Sequence, residues 1–345
     1  MAAGKKKLTD PPTNLKEAID WVIQIKGHAQ DLAKELDALL KQDASEVAMK
    51  VLDKYRIVSE SVIEKLKSHT NEKNRLTSLS SEWGFAAPYA ALDRLSRGLD
   101  PFVSGSAARV NRENAEQWLT EVQATALETL IGNLANGLEA FVKPTSGIVQ
   151  TSVASAYSQT NAKWEGLQAA ERRDCAIIFL AILPLLYIGL IYLYWRCSQI
   201  PDSSRLVLSW SEQSPSTDNG LKKYMVALGY ADNLKSQKGS AIAGLIGRMF
   251  SNELSSGNVS SQDYPEFLGQ LQNKALNPPS QPTSRPLTSL YALSHYYITN
   301  FLYDVQSTSP GTPSFAGYSG TAALASGAYG FNFGGIGTFM SALLA

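Results

Sequence analysis

The chain has 345 residues, and its 31 Lys plus Arg balance its 31 Asp plus Glu. Zero net charge excludes the basic excess that nucleic-acid-binding domains use against phosphates, so no nucleic acid is expected as a partner. The length suits about two domains, and a hydrophobic share of 44% is enough for a packed core.

The opening MAAGKKKLTDPPTNL has a basic cluster but no apolar stretch of the secretory-signal kind. Beyond it, Leu15, Ala18, Ile19, Val22 and Ile23 follow the i, i+3, i+4, i+7, i+8 spacing of an amphipathic helix. Asn14 is placed to cap that helix, Glu17 stands at N3 as in a capping box, and Gly27 is placed to end it. Leu32, Leu36, Leu39 and Leu40 mark a second helix. Val47, Val51, Tyr55, Val58, Val62 and Leu66 mark a third, with Glu60, Glu64 and Lys67 on its solvated face.

Residues 71–111 carry Trp83, Gly84, Pro88, Gly98, Pro101 and Gly105, and read as loop and short turns. Helix resumes from Asn111 to Val142, with Trp118, Leu119, Val122, Leu127, Leu130 and Leu134 apolar, and Pro144 is expected to stop it. Ser146 to Ala170 reads as a weakly amphipathic helix. The first 170 residues are expected to form an antiparallel helical bundle, since most connections are short.

The most informative segment follows at 171–198. Cys175 to Trp195 contains no charge, with Glu171, Arg172, Arg173 and Asp174 at one end and Arg196 at the other. About 20 apolar residues at 1.5 Å per residue cover a hydrocarbon core of roughly 30 Å, so the run reads as a membrane span. Tyr187, Tyr192, Tyr194 and Trp195 crowd its second half as an interfacial belt would. Pro184 and Gly189 leave a second reading open, in which the run bends into two buried helices within a core. Ile177, Phe179, Leu183, Leu186 and Leu193 are the lipid-facing or buried side chains under either reading.

The only two cysteines, Cys175 and Cys197, flank this run. A straight helix would hold them about 33 Å apart, whereas a disulfide needs Cα atoms within about 7 Å. They can bond only if the chain folds back at Pro184.

Residues 199–276 read as a polar loop followed by short helices at Leu221–Leu228, Ser240–Phe250 and Val259–Ala275. A proline-rich linker follows at 277–286, then an aromatic helix at 287–306 and a Gly/Ser/Ala-rich tail at 307–345. The tail reads as weakly packed or disordered, with Gly320–Ala345 a marginal second membrane segment. Asn258–Val259–Ser260 is a glycosylation sequon, meaningful on a lumenal or external face. The fold class expected is all-α: a bundle, a central hydrophobic helix or hairpin, and a small C-terminal helical region.

No set of residues points to chemistry. The three histidines, His28, His69 and His295, lie in no zinc-binding spacing. There is no GxSxG elbow, Walker loop or GxGxxG fingerprint. No strand precedes the glycines at Gly334–Gly335–Ile336–Gly337, and Asp31, Glu35, Asp43 and Glu46 read as solvated charges. The expectation is a non-catalytic protein without cofactor or metal.

Three stretches together resemble the variant erythrocyte surface antigen family of Babesia parasites. They are Pro12–Val22, which contains NLKEAIDW, the run between Cys175 and Cys197 with its core of Leu183, Pro184, Leu186, Tyr187, Gly189 and Leu190, and Leu221–Ile246. They cover about a quarter of the chain. The resemblance implies a protein exported to the surface of the infected erythrocyte. There it would take part in antigenic variation and cell adhesion, paired with a partner subunit and contacting a host endothelial receptor or antibody. The family's cysteine- and lysine-rich block is absent here, and its C-terminal anchor with a basic tail is replaced by Gly/Ala-rich sequence. The other function expected of such a chain is an intracellular, membrane-tethered helical scaffold or adaptor.

Overall fold

The computed structural model describes residues 6–42, 124–148, 155–157 and 160–198, together with parts of 46–58, 246–247 and parts of 286–294. These residues are predominantly helical, with no strand among them. The helices are α1 (Leu15–Gln24), α2 (Ala29–Leu40), α3 (Ala124–Ile148) and α4 (Ala169–Ser198).

α1 begins where its sequence says it should. The Asn14 side chain accepts a hydrogen bond from the Glu17 backbone N–H at 2.8 Å, satisfying one of the donors that a helix start leaves open. Its end departs from expectation. Gly27 does not sit in a left-handed terminal turn but lies inside a 3₁₀ turn, Lys26–His28, that leads directly into α2. A 3₁₀ turn reuses the last carbonyls of the helix, so no glycine-specific conformation is needed there.

α1 and α2 each bury one stripe. Leu15, Ala18, Ile19, Trp21 and Val22 form that of α1, and Leu32, Ala33, Leu36 and Leu39 that of α2. Val47, Val51, Tyr55 and Val58 are fully buried as their spacing predicts, while Val62 and Leu66 lie outside the described residues. α1 and α2 pack on both α3 and α4. All of these buried side chains belong to one continuous core.

Two boundaries are corrected. α3 runs past Pro144 to Ile148. The proline removes the hydrogen bond that would go to the Ala140 carbonyl, and Ala140 is exposed, so water can take its place. Among the described residues of Ser146–Ala170, those from 160 to 168 form turns rather than helix, with Trp164 buried and stacked on His28 (ring centroids 6.0 Å apart). Asn161 and Gly166 favour turns, and burial of the Trp164 ring fixes them.

The N-terminal strap, residues 6–13, lies across the start of α1. The Lys6 N–H donates to the Ala156 carbonyl, and Lys6 pairs with Tyr157 in an isolated parallel bridge. Trp21 Nε1–H donates to the Leu8 carbonyl at 2.9 Å, and Leu8 is itself buried.

α1 approaches α4 closely at Gly189, where a Cβ would lie 3.1 Å from Leu15 Cδ2. Glycine is therefore favoured there by space and not by backbone conformation, since a larger residue would press the Leu15 side chain aside. Gly189→Val is expected to cost about 1–3 kcal/mol through overpacking. Leu15→Ala in the same chain should recover part of that loss, read as the midpoint of urea unfolding for the two single variants and the double.

Candidate functional site: an enclosed apolar helix

α4 is an unbroken helix of 30 residues with Pro184 inside it. Among the described residues it is the one helix long and apolar enough to cross a membrane. It is also enclosed by protein, since every residue from 175 to 193 is buried. The predicted side chains Ile177, Phe179, Leu183, Leu186, Tyr187 and Leu193 all lie in the core, Tyr194 is half-buried, and Pro184 and Gly189 are buried with them. The side chains of Trp195 and Cys197 and the whole of Asn258 lie outside the described residues.

The helical hairpin, one of the two forms expected of this run, is not found. The proline does not bend the chain back because its missing hydrogen bond is replaced. A proline at 184 leaves the Leu180 carbonyl without the N–H that a helix would supply. Ser294 Oγ donates to that oxygen at 2.7 Å, from 114 residues away, and Ser294 is fully buried. One turn further on, Tyr291 stacks on Tyr187 with ring centroids 4.1 Å apart and planes within 7°. The helical residues at 286–294 are thus the clamp that lets α4 continue unbroken past its proline.

This continuity also decides the cysteines. Cys175 is a buried free thiol, and an unbroken helix places Cys197 about 33 Å along the axis, so the two do not bond to each other. Burial, reinforced by nearby Asp174 and Glu171, pushes the Cys175 thiol up to about 12. It stays protonated and is a poor nucleophile.

The helix is held at its charged end and along its length. Lys54 pairs with Asp174 at 2.9 Å, and Arg173 reaches Gln42 and lies 3.8 Å from Glu46. Phe179 stacks against Trp21 with centroids 6.3 Å apart. A Cβ at Gly247 would lie 3.4 Å from Tyr194 Cε2, and Ile246 beside it is fully buried.

Around the strap lies the densest polar cluster among the described residues. Glu17 Oε2 accepts from Lys6 Nζ at 2.6 Å, from the Thr13 N–H at 2.8 Å and from Thr13 Oγ1 at 2.9 Å. The capping-box expectation is therefore met in a shifted form, since Glu17 reaches back to Thr13 instead of to Asn14. Burial opposes the Glu17 charge, but these donors together hold its carboxyl below the ordinary value. Its neighbour Asp20, paired with Lys16 at 2.5 Å, is pushed the other way by burial. Burial and the neighbouring carboxylates also raise Tyr157, whose hydroxyl donates to the Asp10 carbonyl at 2.8 Å.

No group of His, Cys, Asp and Glu among the described residues could hold a metal ion. The sequence missed two features of this site, the Ser294 clamp and the Lys6–Glu17 clasp. The basic cluster near Lys6 was visible, but its carboxylate partner was hidden behind the cap motif. Comparison with known proteins gives no match to a family model, a curated protein or a solved structure.

Two outcomes are expected. Ser294→Ala leaves a buried carbonyl without a donor and should destabilise the protein by about 1–3 kcal/mol. In a Pro184→Ala background the residue-184 N–H fills that carbonyl, so the same serine change should cost markedly less. Additive costs in this double-mutant cycle, measured by urea denaturation, would show that Ser294 does not serve the proline gap. For Glu17, a depressed folded value means stability that is present above the ordinary carboxyl value and lost as pH falls through the folded one. Asp20 has the opposite sign, favouring the folded chain at low pH and losing that contribution as pH rises through its raised value. Thermal melts between about pH 7 and about pH 3 should therefore show a shallower acid limb for Glu17→Gln than for wild type.

Proposed function

We propose that this chain is a non-catalytic helical display protein of the variant erythrocyte surface antigen type, with α4 as the enclosed core of its scaffold. In this reading the first 170 residues form an antiparallel bundle around that core. Segments such as 71–111 and 277–286 are presented outward to a host endothelial receptor or to antibody. A second antigen subunit completes a heterodimer on the infected erythrocyte.

One observation carries the reading. The first two stretches that resemble the family are far apart in sequence but pack against each other, and the one described residue of the third lies in the same core. Leu15 of the first abuts Gly189 of the second, and Trp21 stacks on Phe179. Ile246, the last residue of the third, is buried in the same core. A shared scaffold requires its shared segments to be mutually packed, whereas a display surface can change around them.

The test is surface biotinylation of intact infected erythrocytes followed by immunoprecipitation. The expected result is labelled protein on intact cells, removed by external protease. A chain labelled only after lysis and recovered from the parasite cytosol would overturn the reading in favour of an intracellular adaptor.

A further inference from the structure

We propose that α4 is a stored membrane span: the same helix is core in the enclosed state and crosses a lipid bilayer when its cover opens. The proposal goes beyond display and rests on that reading only in taking the enclosed form as the resting one.

The first ground is the helix itself. A surface helix of a water-soluble protein shows a polar stripe, whereas a helix apolar on every side belongs to a protein interior or to a membrane. From Cys175 to Leu193 α4 has no charged residue and no exposed one on any side. Its apolar stretch of about 19 residues rises about 28 Å, close to the hydrocarbon thickness of a bilayer. Arg172 and Arg173 precede that stretch and Arg196 follows it, marking both ends.

The second ground is the cover. α2 buries one apolar stripe against the core and carries charge outside it, at Asp31 and Lys34. Helices of this kind can exchange a protein core for the interface of a membrane without stranding polar groups in hydrocarbon. The cover is pinned at identifiable points, the Trp21–Phe179 stack and the Lys6–Glu17 clasp over the strap.

The third ground is the proline. In hydrocarbon the Leu180 carbonyl has no water to turn to, and a neighbouring hydroxyl is one way to satisfy it. The Ser294 bond already does this inside α4, so the clamp can accompany the helix intact.

The experiment uses the purified full chain with phosphatidylcholine–phosphatidylserine vesicles at neutral pH. It reads the carbonate-resistant fraction that floats with lipid and the peptide protected from proteinase K, sized by mass spectrometry. Lys6→Met and Trp21→Ala open the cover at its two pins. Each is expected to raise the carbonate-resistant fraction about fivefold or more over wild type, and to yield a lipid-dependent protected peptide covering about 174–196. Should Trp21→Ala fail to fold, Lys6→Met carries the test, with its helical circular dichroism confirmed first. Opened variants that stay soluble, aggregate without lipid, or bind in a form that carbonate strips would each overturn the proposal. Because the assay uses purified protein, its failure is separate from any result on cell-surface location.

Discussion

A helix that is apolar on every side has to be covered on every side, and the described part of this protein is arranged to meet that demand at α4. Burial of a single Leu, Ile or Phe side chain is worth about 1.5–3 kcal/mol, and α4 offers such side chains at 12 of the 19 positions from 175 to 193. No single neighbour can supply that cover. It comes from α1, α2, the residues at 46–58, the pair at 246–247 and the helical residues at 286–294, drawn from across the chain. Two local features make it fit, the absence of a side chain at Gly189 where Leu15 presses in, and the hydroxyl of Ser294 where Pro184 leaves a gap.

The ion pairs play a lesser part. Lys26–Glu139 and Lys50–Glu46 are substantially exposed, and pairs of that kind contribute little, typically under about 1 kcal/mol. The clasp around Glu17 differs, because one carboxylate oxygen gathers three donors in a half-buried setting. It fixes the strap, the strap fixes the Trp21 ring through the Leu8 carbonyl, and that ring fixes α1 against Phe179. A polar contact at the edge thus sets the register of an apolar contact in the middle.

What the sequence made legible was local. The cap at Asn14, the stripes of α1 and α2 and the buried face of Val47, Val51, Tyr55 and Val58 all follow from spacing within a few residues. The misreadings came from partners at a distance. Pro184 looked like a possible bend because its repair is 110 positions away, and nothing near the proline announces Ser294. Gly27 looked like a left-handed stop because a 3₁₀ turn leaves no mark of its own in sequence. Residues 160–168 looked helical by composition, yet the Trp164 ring is more fully buried against His28 than a surface helix would allow. The all-round apolar character of α4 was plain, but periodicity alone does not separate a protein interior from a lipid one.

The distance between α4 and its clamp has a consequence for how the chain folds. α4 is complete at Ser198, whereas Tyr291 and Ser294 are made about a hundred residues later. At about 5–20 residues per second of synthesis, that leaves several seconds in which α4 lacks part of its cover and the Leu180 carbonyl lacks its donor. Contacts of such sequence separation form late because loop closure must precede them. During that interval α1, α2, the residues at 46–58 and the strap are already available to cover the helix, which places the Trp21–Phe179 contact and the Lys6–Glu17 clasp in the role of a provisional cover. The same contacts that pin α1 in the finished fold therefore decide whether the half-made chain keeps its most apolar helix inside protein.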